Sequence, residues 1–298
     1  MNKTYRLVAD KAEVRLDKFV GGKCPELSRT NAQRLIADGH ITVNGSVTRA
    51  SRKLEIGDRV NVTVPPTPPS PLSPEAIPLN ILYEDDDLIV VDKPAGLTVH
   101  PAPGHPGHTL VNAILSHFPH LADISDSLRP GIVHRLDKDT SGVMLVAKNK
   151  AAQDNLVDQF RTRSVAKAYL VLVKGRLTPE RGTIEAAVGR DPRNRKRMAV
   201  VTSGREASTE YQVVRYIDNY TLLEVAPVTG RTHQIRVHLA AIGYPVVGDA
   251  VYGVKSPHLS RQFLHACRLG FKLPSTGEYV EFKSELPEDL ARTLEKMA

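Results

Sequence analysis

Cysteine is nearly missing from this chain of 298 residues: only Cys24 and Cys267 occur, with no CxxC and no Cys/His cluster at zinc-ligand spacing. That argues against a disulfide framework and a structural metal, and it points to a reducing compartment. No apolar run of signal-peptide length opens the chain, and no run of about 18 apolar residues occurs anywhere. A cytoplasmic protein with no membrane span is expected. The eleven histidines include no HExxH, so metal-assisted hydrolysis is disfavoured. There is no GxxxxGKS/T loop and no GxGxxG after a strand, so no nucleotide or other cofactor is expected. Ser141 does not sit in a GxSxG elbow, which sets aside Ser-His-Asp hydrolysis.

Charge of one sign is in excess. Forty Lys/Arg against 33 Asp/Glu give a formal net charge of +7. Such a balance fits a polyanionic partner (RNA, DNA or membrane headgroups), or simply a soluble basic protein. The 41% hydrophobic content suits a packed core, and the length suits a main domain and a smaller one.

Residues 14–64 carry nine Lys/Arg and five Asp/Glu, a net +4. Val14, Leu16, Phe19 and Val20 have helical spacing. Ser28 is placed to cap a second helix with an apolar stripe of Ala32, Leu35 and Ile36, stopped by Gly39. Ile41–Val43, Asn44-Gly45 and Ser46–Thr48 read as a hairpin, and Arg59–Val64 alternates as a strand. Arg29 and Arg34 are candidate phosphate contacts, in a patch that would hold a backbone without reading sequence. The bland reading is a solvated basic face. Six prolines between 65 and 74 then mark a polyproline-type spacer. The expected division is a small RNA-binding domain at 1–64, a linker at 65–74 and a catalytic domain at 75–298.

In the larger part, 80–84 and 88–93 read as strands around an acidic turn, 108–117 and 149–163 as helices, and 167–174 as a strand. Further strands are expected at 207–214, 220–225, 263–266 and 280–282, so strands outnumber helices and short turns join many of them. An α+β catalytic domain around a mostly antiparallel, mixed sheet with flanking helices is expected, beside a small N-terminal α/β RNA-binding domain. Residues 189–197 hold five basic residues and one acid, and Arg193, Arg195, Lys196 and Arg197 are candidates for a second phosphate clamp.

The densest chemistry lies at Gly131–Gly142, where His134, Arg135, Asp137, Asp139, Thr140 and Ser141 stand between two apolar runs read as buried strands. A second cluster, Thr229–Ala240, reads as a helix with His233, Arg236, Val237 and Ala240 on one face. A basic pair there could neutralise a buried carboxylate. Tyr169, on a strand, is by default a core residue.

These segments resemble a known family. Arg15–Phe19, Ser28–Thr30, Gly39–Gly45 and Gly57-Asp58 look like the small RNA-binding module first seen in a ribosomal small-subunit protein. His134-Arg135-Leu136-Asp137 with Thr140–Gly142, then Lys167-Ala168-Tyr169, then Thr229–His238, resemble the signature motifs of the RluA-type pseudouridine synthases. The subgroup that modifies large-subunit ribosomal RNA looks nearest. The resemblance implies Asp137 as the catalytic aspartate, Tyr169 against the target base and Arg236 in a salt bridge with Asp137. It also implies Arg135 beside the displaced nucleotide, with Arg231 and His233 in support. It implies ribosomal RNA, or an assembling large subunit, as partner of a monomeric enzyme. The competing readings are a non-catalytic RNA chaperone or assembly factor, a synthase acting on transfer RNA, and a DNA-binding regulator. The chemistry is consistent with the absences above: exchanging a carbon–nitrogen for a carbon–carbon glycosidic bond is redox-neutral and needs no cofactor.

Overall fold

The computed structural model describes residues 3–24, 27, 29–65, 72–101, 106–123, 129–194 and 197–297. The chain forms two units, Met1–Pro69 and Ser70–Ala298. Most of the spacer prolines, and the expected cap Ser28, lie outside the described residues.

In the first unit the order is β1 (Lys3–Val8), α1 (Leu16–Lys23), α2 (Arg29–Ala37), β2 (Ile41–Val43), β3 (Ser46–Val47) and β4 (Arg59–Val64). The strands form one antiparallel sheet in the order β1-β4-β2-β3. Asn44 (φ 52°) and Gly45 (φ 81°) make the two-residue turn that the Asn-Gly pair predicts. Apolar faces of α1 and α2, through Leu16, Val20, Leu35 and Ile36, close over Ile41, Val60 and Val62. Asp17 is buried inside this unit. Arg15 forks onto it at 3.0 Å through both nitrogens, and Arg29 Nε and Gln33 Nε2 donate to it at 3.0 and 2.5 Å. The Arg15 bond, then those of Gln33 and Arg29, hold the Asp17 carboxyl well below the usual range against the opposing effect of burial. Arg29, a candidate phosphate contact, is therefore also the ion-pair partner of buried Asp17, and both Arg29 and Arg34 are exposed.

The second unit runs β5 (Asn80–Glu84), β6 (Leu88–Lys93), α3 (Leu110–His117), β7 (Ser141–Ala147), α4 (Lys150–Arg161), β8 (Ala166–Lys174), β9 (Arg181–Glu185), β10 (Val188–Arg190), β11 (Met198–Val200), β12 (Ser208–Ile217), β13 (Tyr220–Pro227), α5 (Gln234–Ala241), β14 (Leu264–Lys272), β15 (Tyr279–Lys283) and α6 (Glu288–Met297). Nine strands make one sheet in the order β5-β6-β7-β14-β8-β13-β12-β9, with β15 also on β14. Every pairing is antiparallel except β7 with β14, so the sheet is mixed and mostly antiparallel. Strand alternation feeds two cores. Ile89, Val91, Met144 and Val146 pack with α3, and Val171, Val173, Leu223 and Val225 pack with α5. The alternate residues Leu88, Val90, Val143 and Leu145 pack with α4, and Leu172 and Leu222 pack with α6. Helices therefore cover both faces, which is why β7 is buried along its whole length.

Two expectations are corrected. The residues leading into the 131–142 loop do not form a strand; Ile132 makes only an isolated bridge to Val146. The reason is local: the amide of Leu145, which a neighbouring strand would take, donates to His134 Nε2 at 3.0 Å. His233 is not on the α5 face, because it precedes the helix in a left-handed conformation (φ 56°). The strands β1 and β9 and the helix α6 were not expected from the sequence.

Candidate active site

The 131–142 loop is held from beneath by its own backbone. Gly96 N–H donates to Lys138 O at 3.0 Å, Arg261 Nη1 to Asp139 O at 3.1 Å, and Thr140 N–H closes the turn on Asp137 O at 3.1 Å. Ser141 Oγ meets His265 Nδ1 at 3.0 Å, and Gln262 Nε2 donates to Thr140 Oγ1 at 3.3 Å. Lys93, fully buried, donates to three carbonyls: Pro94 O (2.8 Å), Leu97 O (2.9 Å) and Lys138 O (3.1 Å). An ammonium has three N–H groups, and each has an acceptor. Burial pulls the Lys93 pKa down to about 7, against the opposing attraction of Asp139 and Asp137. His134 stacks on Phe160 with centroids 4.6 Å apart. Its Nε2 accepts the Leu145 amide, and burial pulls its pKa to about 3, so it is a neutral structural ring.

Against this fixed loop, Arg236 of α5 approaches the Asp137 side chain. Its Nη1 lies 2.9 Å from Asp137 Oδ2. The remaining edge of the guanidinium forks onto Asp249, with Nε to Oδ2 at 2.7 Å and Nη2 to Oδ1 at 2.9 Å. Asp249 Oδ1 also accepts the amides of Val251 and Tyr252 at 2.8 and 3.1 Å. Burial pushes the Asp249 carboxyl up, but the Arg236 bonds and these amides leave it below its ordinary value. Arg236 is thus a buried cation between two carboxylates, and its bidentate fork on Asp249 sets its orientation.

The other oxygen of Asp137 faces His233. Met198 N–H donates to Tyr252 Oη at 2.7 Å, and Tyr252 Oη lies 2.9 Å from His233 Nδ1. A phenol that accepts a peptide N–H keeps its own proton to give, so Tyr252 donates to Nδ1 and the imidazole proton is assigned to Nε2. That Nε2 sits 3.9 Å from Asp137 Oδ1. Burial lowers the His233 pKa, with the Asp137 charge opposing it.

Tyr169 comes from β8 and pairs with Val225 on one side and Ala266 on the other; Ala266 in turn pairs with Gly142. One row across the sheet therefore links the end of the Asp137 loop to Tyr169. The ring bridges the two cores on that face, half-buried, and its phenol pKa is pushed up by burial and by the charge of Asp137. The core reading of Tyr169 is right as far as packing goes, but the residue also lines a cavity.

That cavity is about 550 Å³ and is lined by Asp137, Tyr169, His233 and Arg236 together with Arg135, Arg163, Lys167, Arg205 and Arg231. Its size is in the range of small-ligand sites. Among the described residues lining it, Asp137 is the one carboxylate. The structure thus brings Arg135, Arg231 and His233 to Asp137 within the second unit. Arg29 and Arg34 lie in the first unit, and Arg193 is exposed on the β10–β11 turn. Arg195 and Lys196 lie outside the described residues. Arg197, expected as a phosphate clamp, instead packs on the Tyr252 ring, 5.1 Å from its centroid, opposite in role to a free surface cation. Sequence reasoning missed Asp249, Tyr252 and Lys93. Asp249 sits between Gly248 and Gly253, where a carboxylate reads as ordinary turn chemistry. Among the described residues no group of His, Cys, Asp and Glu could hold a metal ion, and no helix is long and apolar enough to cross a membrane.

Comparison with known proteins identifies the family. The RNA pseudouridylate synthase family profile matches residues 87–241, and that of the S4 domain matches residues 14–60. An RNA pseudouridine synthase of Chloroflexus aurantiacus is 52% identical over 285 residues, covering 95% of this chain and 90% of the relative. The ribosomal large subunit pseudouridine synthase D of Nitrosomonas europaea is 43% identical over 294 residues, covering 95% and 84%. The solved structure of human RNA pseudouridylate synthase domain containing 1 superposes with a TM-score of 0.57 at 32% identity, covering 72% of this chain and 85% of that one. The chain belongs to the RluA-type RNA pseudouridine synthases, isomerases of RNA, with an S4 RNA-binding domain preceding the synthase domain.

Proposed function

We propose that this enzyme converts uridine to pseudouridine in large-subunit ribosomal RNA, with Asp137 as its catalytic carboxylate. The observation that carries the assignment is the solitary carboxylate in a cation-lined cavity: Asp137 has one oxygen held by Arg236 and the other turned toward His233. The held oxygen fixes the group, and Oδ1 is left to react. It attacks the anomeric carbon of the ribose, or removes the neighbouring ribose proton to give a glycal. Either way the bond from that carbon to N1 of uracil breaks. The detached base turns and carbon 5 bonds to the anomeric carbon as the Asp137–ribose bond breaks, or, on the glycal route, as Asp137 returns the ribose proton; the proton on carbon 5 then leaves to solvent while N1 gains one. Tyr169 offers the loose uracil a flat face. The target must leave its stack to reach Asp137, and Arg135, exposed at the rim, is suited to stand beside the displaced nucleotide.

The ribosomal substrate follows from relatives named as large-subunit synthases. On this reading the enzyme is a cytoplasmic monomer. Residues 1–64 grip folded RNA, 65–74 act as a spacer and 75–298 carry the chemistry. The test is tritium release from uracil labelled at carbon 5. Wild-type protein releases label from large-subunit ribosomal RNA, whereas Asp137→Asn, nearly isosteric but uncharged, releases none and binds that RNA as tightly. Release by Asp137→Asn would remove Asp137 from the chemistry; release from transfer RNA alone would overturn the substrate.

A further inference from the structure

The cavity has a wall of cations that the chemistry above leaves unused. Arg163 reaches it from the turn between α4 and β8, Lys167 from the start of β8, and Arg205 and Arg231 from the segments before β12 and α5. Among the described residues none of the four forms an ion pair. Neighbouring cations do: Arg161 pairs with Asp158, Arg236 with Asp137 and Asp249, and Arg268 with Glu224 and Glu281.

The backbone places two of them deliberately. Arg163 follows the end of α4 with φ 62°, its amide donating to Phe160 O at 3.3 Å while Ser164 N–H reaches Gln159 O at 3.0 Å. This is the helix-ending position that glycine normally fills, and a residue with a Cβ pays about 1 kcal/mol to adopt it. Arg231 is fixed by its own amide to Gln234 Oε1 at 2.9 Å and by Nε to Glu206 O at 3.1 Å. The helix dipole alone does not explain the set. Arg161 already lies in the last turn of α4, and Lys167, Arg205 and Arg231 are not on that helix.

We infer that Arg163, Lys167, Arg205 and Arg231 clamp a single phosphodiester of the RNA at the mouth of the cavity, fixing the ribose over Asp137. This rests on the pseudouridylation reading and adds the backbone contact that sets the register of the extruded uridine. Uracil is neutral, so a wall of unpaired cations has no partner on the base; the phosphodiester next to it is the anion each nucleotide brings. Arg163 is the bridge between the two walls. Burial and then Arg163 lower the Lys167 pKa to about 8, and burial, Arg205 and Arg163 lower that of Arg231. Like charges at that range repel until an anion joins them.

The test uses Arg163→Gly, because glycine suits the left-handed backbone and the variant keeps the fold while losing the charge. With transcribed large-subunit ribosomal RNA labelled at carbon 5, the clamp predicts a KM raised about tenfold, the worth of one charge-assisted contact, with the loss falling on KM rather than kcat. The slope of log Kd against log salt falls by about 1, and Arg163→Lys recovers most of both. Arg205→Ala behaves alike, and the double variant is weaker than the product of the singles, since both cations hold one phosphate. An unchanged KM and salt slope in Arg163→Gly would overturn the clamp, and so would single effects that multiply, which describe independent contacts in a diffuse basic field. If wild-type protein releases no label, the pseudouridylation reading fails, and the salt slopes of RNA binding still decide the clamp.

Discussion

Asp249→Asn tests the claim that the reactive carboxylate is positioned through a second, more deeply buried one. The carboxylate accepts four hydrogen bonds, two from Arg236 and two from the amides of Val251 and Tyr252. Three of them converge on Oδ1, so the best-fitting asparagine keeps its oxygen there and turns its NH2 toward Arg236 Nε, donor against donor. The volume is unchanged, so no cavity contributes. Removing one partner of a buried ion pair costs about 3–5 kcal/mol. Asp137 still lies 2.9 Å from the guanidinium, which puts the expected loss near the lower end, about 3 kcal/mol. Activity falls further than stability explains, because Arg236 loses the fork that orients it; a misplacement of about 1 Å costs on the order of 100-fold in rate.

Urea unfolding followed by circular dichroism measures the first effect, and tritium release from the same preparation measures the second. A pH series adds a sign. The folded-state pKa of Asp249 is depressed, so its contribution is complete above the unfolded value near 4 and is lost as pH falls through the folded one. The gap between wild type and variant therefore narrows in acid. Arg236→Lys is the companion, since one ammonium keeps the charge but cannot fork onto Asp249 and reach Asp137 together. A variant Asp249→Asn with wild-type stability and wild-type kcat would refute the reasoning.

Three further perturbations have expected outcomes. Lys93→Met removes the donor shared by Pro94, Leu97 and Lys138 and lowers kcat by freeing the loop. Because the Lys93 pKa lies near 7 in the fold and near 10.5 in the open chain, the unfolded state binds more protons between those values, so wild-type stability rises with pH across that window. Urea midpoints at pH 7, 8.5 and 10 that climb equally in Lys93→Met would sink this reading. Gly142→Ala places a Cβ 2.2 Å from Ala266 O at φ 116°, at one of the two positions where β7 and β14 pair; a loss of about 2 kcal/mol or more is expected from thermal unfolding, and a neutral result would contradict the packing. Tyr169→Phe keeps the ring and should leave folding and RNA affinity intact, while Tyr169→Ala abolishes label release; collapse of folding in Tyr169→Phe would reduce the residue to a core role.

The proposed reactive centre was legible as a cluster because its members carry side-chain chemistry that strands and helices do not need. Asp137, Tyr169 and Arg236 stand in three separated motifs, and the sheet register and α5 bring them together. The supports were not legible for the opposite reason. Lys93 ends a strand, where a lysine normally reaches water, and only the fold reveals three carbonyls around it. His134 replaced a ladder partner with an imidazole nitrogen, which periodicity cannot show, so an apolar lead-in read as a strand. Arg163 stood at a helix end where cations are commonplace, and its left-handed backbone is visible only in three dimensions. The missed α6 was in fact legible: Leu290, Leu294 and Met297 stand at i, i+4 and i+7, and the two leucines are buried.

The position of β14 has a consequence for how the enzyme is made. This strand, beginning at Leu264, lies between β7 and β8, which precede it by roughly a hundred residues, and Arg261 just ahead of it joins Asp139 O to Asp289 of α6. The site cannot close until β14, Arg261 and α6 have been made. The S4 domain is complete some two hundred residues earlier, and domains emerging from the ribosome fold as units, amino-terminal first. A nascent chain thus acquires its RNA-gripping part long before its catalytic part, and a stalled or truncated product lacking the final helix would occupy RNA without modifying it.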